Sequence, residues 1–206
     1  MVYNSNIKII TGGITMNLKT KTQNLTAAGV LAALLCVSAY ISIPLGFTPT
    51  PLTLQTLAIN LIAIMLAPSM SFMTVLVYIL VGLVGVPVFS GGAGGPAKLF
   101  GPTGGYILAF LVSAPIMSFT KEWFVKLFGK FIKSETTAKI IGYAVNAVIV
   151  GMVIIYVIGS IYMKFMLGKS FGAVLMMAVV PFIPLDLLKC VLAAVIAVPV
   201  MKALNR

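Results

Sequence analysis

Thr22-QNLTAAGVLAALLCVSAYISIPLGFTPTPLTLQTLAINLIAIMLAPSMSFMTVLVYILVGLVGVPVFSGGAGGP-Ala97 is a stretch of 76 residues without a charged side chain. One membrane crossing takes about 20 apolar residues at 1.5 Å rise each, so the stretch holds two or three. Its punctuation is internal. Pro44, Gly46, Pro49 and Pro51 interrupt the first half, and Pro68 and Pro87 the second. The spacing predicts spans over about 24–43, 52–66 and 71–86. Backbone amides in hydrocarbon must pair within their own segment, which makes such runs helices. They lack the short alternating segments of a membrane β-barrel.

Outward from that stretch the same character continues. Leu99–Thr120 and Ile140–Met163 are also uncharged, and Phe171–Met201 is apolar except for Asp186 and Lys189. The spans expected from these runs begin near Tyr106, Ile140 and Gly172. The fourth fades into an amphipathic stretch with Lys121, Trp123, Lys126, Lys130 and Lys133. Over the whole chain 61% of residues are hydrophobic and 8% charged. A soluble domain carries about 25% charged residues, so this surface faces lipid. The expected fold is all-α: a 1–21 polar N-terminal segment, then a single six-helix membrane domain over 22–206. Residues 1–21 show no signal-peptide pattern, and Met16 is a second candidate start.

The net charge of +11 raises nucleic acid as a partner. The basic residues sit between apolar runs and form no face of their own, so they read as topology signals instead. With six spans both termini share a side. Placing them inside puts Lys8, Lys19, Lys21, five lysines from Lys121 to Lys139, Lys202 and Arg206 inside. Lys98, Lys164 and Lys169 fall outside. Ten against three matches the positive-inside bias, giving N-in and C-in. The loop after Ser90 then lies outside, and Asp186 and Lys189 lie in the outer half of the last span.

Asp186 is the acid expected inside a span. Such a group is costly in lipid, faces an interior cavity as a rule, and marks function. Lys189 is three residues on, hence on the same helix face. The pair reads either as a self-neutralising salt bridge or as a polar ligand site, with Asp186 accepting and Lys189 donating. Pro181 and Pro184 just before it loosen the helix and free carbonyls. The loop Ser90-GGAGGPAKLFGPTGG-Tyr106 has seven glycines and two prolines between Gly91 and Gly105, too many for regular structure. It is no phosphate-binding P-loop, and Gly168-Lys169-Ser170 has Met163 where the first glycine of that motif belongs. Close approach to a solute and simple loop packing both fit Gly91, Gly92, Gly94 and Gly95. On the first span Ala28 and Ala32, beside Gly29 and Ala33, form a small-residue groove for an internal helix or a partner. Cys36 and Cys190 have no metal-like spacing, and the chain has no histidine.

Gly85-Val-Pro-Val-Phe-Ser-GGAGG, Phe100-GPTGGY-Ile-Leu-Ala-Phe110 and Pro184-Leu-Asp186-Leu-Leu-Lys189 resemble the BioY family, the biotin-specific binding subunits of energy-coupling-factor (ECF) vitamin transporters. Pro51-Leu-Thr-Leu-Gln-Thr56 is similar to that family too, and the likeness extends from about Leu25 onward. The resemblance implies a six-helix subunit that captures biotin near the outer face. It makes Asp186, Lys189, Gln55, Tyr106 and the glycines 91, 92, 94 and 95 substrate-binding. Phe47 or Tyr106 would cover the ligand's ring. It assigns Ala28 and Ala32 to docking a transmembrane coupling subunit, with partner ATPases supplying energy. Some relatives carry Asn and Arg where this chain has Ala93 and Ile107.

The residues leave rivals. A sister subunit for thiamine or riboflavin fits the same outline, although cationic thiamine wants more acids or aromatic walls than Asp186 alone provides. An intramembrane enzyme lacks players, with no histidine and no buried serine–base pair. An assembly protein would bind no solute. The expected setting is the plasma membrane of a prokaryote, with biotin as ligand and no cofactor.

Overall fold

The computed structural model describes residues 21–204. The polar segment over 1–20, with Lys8, Lys19 and Met16, lies outside the described residues, as does Arg206. The elements are helix α1 (Lys21–Ser38), strands β1 (Ser42–Ile43) and β2 (Leu52–Thr53), then α2 (Gln55–Met65), α3 (Pro68–Leu83) and α4 (Pro96–Leu99). After these come α5 (Gly104–Gly129), α6 (Glu135–Asn146), α7 (Val153–Leu167), α8 (Phe171–Ala178) and α9 (Ile183–Leu204). A π-helical stretch, Ala147–Met152, joins α6 to α7 without a break, and a 3-10 turn, Val180–Phe182, separates α8 from α9.

The protein is mostly helical, as its composition demands. Three helical runs are long and apolar enough to cross a membrane: Gly104–Gly129, Glu135–Leu167 and Phe171–Leu204. Thr22–Ser38, Gln55–Met65 and Pro68–Leu83 are apolar but shorter. At 1.5 Å per residue the 11 residues of α2 cover only about half a bilayer core. α2 is mostly apolar and largely enclosed, with Ala58 through Leu66 all buried. It packs on α9, α5 and α1, while α5 also touches α3, α6 and α7.

Four features differ from the expectation. The chain is not purely helical, because β1 and β2 form a two-residue antiparallel ladder, Ser42 opposite Thr53 and Ile43 opposite Leu52. Pro44, Pro49 and Pro51 between them forbid helix, and the extended flanks pair instead. The first helix ends at Ser38, before the expected stop at Ile43. The glycine-rich loop contains one helical turn, α4, and its last two glycines open α5.

The largest difference is at the fourth span. α5 runs unbroken through Lys121, Trp123 and Lys126 to Gly129. Lys121, expected among the inner lysines, is fully buried. Its ammonium donates to the carbonyls of Ala63 (3.0 Å), Ile64 (2.7 Å) and Leu66 (2.7 Å). Those are the carbonyls left bare where α2 stops before Pro68. A cation at a helix C-terminus also opposes the negative end of its dipole. Ser118 one turn earlier donates to Leu66 as well, at 2.6 Å.

Candidate functional site

The prolines before Asp186, expected to loosen the last span, divide it into α8 and α9. Val179 leaves helical geometry (φ −127°), and α9 restarts at Ile183, which puts Asp186 in its first turn. A carboxylate is favoured there by the positive end of the helix dipole. Asp186 and Lys189 are 5% and 3% exposed, and Lys189 Nζ donates to Asp186 Oδ1 at 2.9 Å.

Neighbouring helices complete the network. Thr56 in the first turn of α2 donates to Asp186 Oδ1 at 3.0 Å. The Tyr156 hydroxyl on α7 donates to Oδ2 at 2.7 Å. Lys189 also donates to the Thr53 carbonyl at 2.6 Å, tying α9 to β2. A carboxylate offers about four lone-pair sites and an ammonium three protons. Three acceptor sites and two protons are engaged within the protein. One acceptor site on Asp186 and one proton on Lys189 therefore remain.

Those residual groups face a cavity. The cavity is narrow, with about 60 Å³ of room for water-sized molecules. Polar walls come from Thr50, Thr53, Gln55, Thr56, Ser90 and Thr103. The apolar walls are Ile107, Phe110, Ile155, Phe182 and the rings of Tyr106 and Tyr156. The Thr50 hydroxyl oxygen is buried there without a hydrogen-bond partner.

Of the residues singled out from sequence, Asp186, Lys189, Gln55 and Tyr106 come together in this cavity. Gln55 is buried and donates to the Tyr78 hydroxyl. Tyr106 turns its hydroxyl toward Ser160 and the Ala178 carbonyl, both at 3.3 Å, leaving its ring to the cavity. Its packing is reciprocal: Tyr106 fills the space a side chain at Gly159 would take, and Tyr162 does so at Gly105. Each glycine lets α5 and α7 close on the other's tyrosine.

The first glycine cluster is placed differently. Gly91, Gly92, Gly94 and Gly95 do not line this cavity; from their neighbourhood only Ser90 does. A Cβ on Gly94 would come within 2.5 Å of the Val86 carbonyl oxygen, and Gly95 holds φ +83° while donating to the Gly82 carbonyl at 2.7 Å. Gly91 donates to the Ala39 carbonyl at 3.1 Å. Gly94 and Gly95 are thus packed onto the end of α3, while Gly91 borders a second, outer groove. Phe47 is 60% exposed and lies outside the cavity wall. On α1, Ala28 is buried in the bundle, Ala32 is half-buried, and Gly29 and Ala33 are exposed.

Sequence reasoning missed Thr50, Thr56 and Tyr156. The threonines carried a faint signal, since Thr48, Thr50, Thr53 and Thr56 crowd the entrance to an otherwise apolar helix. Tyr156 carried none, being one tyrosine in an apolar run.

With this geometry in hand, the chain can be set beside known proteins. The model of the BioY family matches residues 14–206. A protein named biotin transporter BioY2 from Lactococcus lactis subsp. cremoris is 36% identical over 186 residues, covering 90% of this chain and 94% of its own. Biotin transporter BioY from Thermotoga maritima is 35% identical over 180 residues, covering 87% and 96%. Among solved structures, the S-component for biotin from an ECF-type ABC transporter superposes with a TM-score of 0.77 at 27% identity. That match covers 88% of this chain and 92% of the other. The chain belongs to the BioY family.

Proposed function

We propose that this protein is a membrane-embedded S subunit that captures biotin in the cavity between α2, α5, α7 and α9. The observation that carries the reading is the residual pairing capacity of Asp186 and Lys189. One free acceptor site beside one free proton matches an N–H beside a carbonyl, the pattern of biotin's ureido group. Ile107, Phe110, Phe182 and the tyrosine rings cover the apolar ring system. The relatives' names point to the same ligand. Calorimetric titration of the purified protein with biotin, thiamine and riboflavin tests this. Biotin alone should bind; a preference for thiamine or riboflavin would move the protein to a sister specificity.

The reading extends to topology and partners. The short helices α1, α2 and α3 together with the three long runs make six crossings of a prokaryotic plasma membrane, termini inside. The N-terminal ends of α2, α5 and α9 then share the outer side, where the cavity opens. Labelling of single cysteines placed at Lys98 and Lys130 checks this. Lys98 should react from outside and Lys130 only after permeabilisation. With no nucleotide motif of its own, the subunit draws energy from the coupling and ATPase subunits of an ECF module. Ala28 is enclosed, so the docking stripe on α1 runs through Ala32 with Gly29 and Ala33. Uptake that persisted after loss of those partner subunits would refute the coupling.

A further inference from the structure

Biotin carries a carboxylate as well as a ureido group, and the inner cavity has no net charge to receive it. Asp186 and Lys189 already neutralise each other at 2.9 Å. An anion beside Lys189 would lie almost as close to Asp186, and repulsion of that kind is strong away from bulk water.

A second chamber lies above the first. Tyr40, Ser42, Thr48, Gly91 and Lys98 line an outer groove of about 880 Å³ of empty space, open to the surface. Pro51 and Ser90 border both chambers, so the two are neighbours. Lys98 sits on α4, half-buried, and makes no hydrogen bond or ion pair with any described residue. Among the described residues lining either chamber, it is the only unpaired cation. Burial holds its ammonium below the usual lysine range, the mark of a cation stripped of water without a counter-charge. Thr50, whose buried hydroxyl is also unpartnered, lines the inner cavity next to Pro51, which borders both. An unpaired cation and an unpaired donor therefore lie on either side of the rim that Pro51 and Ser90 form.

We propose that Lys98 binds the carboxylate of the ligand, with the Thr50 hydroxyl donating to the same end. The ring then lies inward on Asp186 and Lys189, and the acyl tail points out past Pro51 and Ser90. The inference rests on biotin being the ligand. It makes Lys98 a specificity residue that separates a free acid from its neutral derivatives.

The test is calorimetric titration of biotin and of its uncharged amide into wild type, Lys98→Gln and Lys98→Arg. Wild type should prefer biotin. Lys98→Gln should weaken biotin about ten- to hundredfold, the range of a charge-assisted hydrogen bond, and leave amide binding unchanged. Lys98→Arg should keep the preference. Retained amide binding shows that the Gln variant is folded. Lys98→Gln binding biotin as tightly as wild type, or losing both ligands equally, would overturn the assignment while leaving biotin as the ligand. Wild-type protein that bound neither would overturn the biotin reading and this inference together.

Discussion

Lys121 and Lys189 are both buried ammonium groups on long helices, yet their surroundings differ in two respects. Lys121 spends all three protons on carbonyls at the end of α2 and has no carboxylate within ion-pair distance among the described residues. It lines neither the inner cavity nor the outer groove. Lys189 spends two protons, one on Asp186 and one on Thr53, and faces empty space. Both obey the rule that a buried charge must be hydrogen-bonded. Burial of a cation in a membrane helix therefore does not by itself mark a ligand site. Unused pairing capacity next to a cavity does.

The comparison can be broken by substitution. Lys189→Ala removes the ligand's donor and strands Asp186, so biotin affinity should fall about hundredfold, read by calorimetry. Lys121→Met should act on the fold instead. It bares the last turn of α2 at about 1–3 kcal/mol for each carbonyl left unpaired. A thermal melt should show the loss, while the folded fraction binds biotin as wild type does. A Lys121→Met protein with unchanged melting and lost affinity would reverse the two roles.

Smaller effects sharpen the contrast. Tyr156→Phe removes one of three donors from Asp186 and opens the cavity slightly, so affinity should change about three- to tenfold. The melt should barely move, since the ring packing stays. The most gradual effect is alkaline, reaching the size of the Lys98→Gln loss only where Lys98 is fully deprotonated. Lys98 binds a carboxylate only while protonated, and burial lowers its pKa. Biotin affinity should therefore decline as pH rises through a range below the ordinary lysine value of about 10.4. The uncharged amide should show no such decline.

Much of this was legible in the residues, for identifiable reasons. The apolar runs announced helices because nothing else satisfies backbone amides in lipid. Asp186 and Lys189 stood out because charge is rare there, and the prolines at 181 and 184 foretold the break that sets Asp186 in a first turn. Lys121 was misread because three further lysines follow it at near-helical spacing, which looks like a solvated face. Its partners are carbonyls more than fifty residues away, and a carbonyl leaves no trace in a sequence. The glycine loop kept two readings open, because glycine permits both close approach to a ligand and close packing of backbone. The contacts of Gly94 and Gly95 are packing, while Gly91 borders the outer groove. Phe47 was placed in the cavity by its aromaticity alone, while the prolines around it carry it to the surface.

On this proposal the residual acceptor on Asp186 holds the ligand. Calorimetric titration of biotin into wild type and Asp186→Asn, each first shown folded by its melt, tests it most directly. The account predicts tight binding by wild type and a loss of about hundredfold or more in the variant. Equal binding by the two would contradict it and move the site away from the α9 pair.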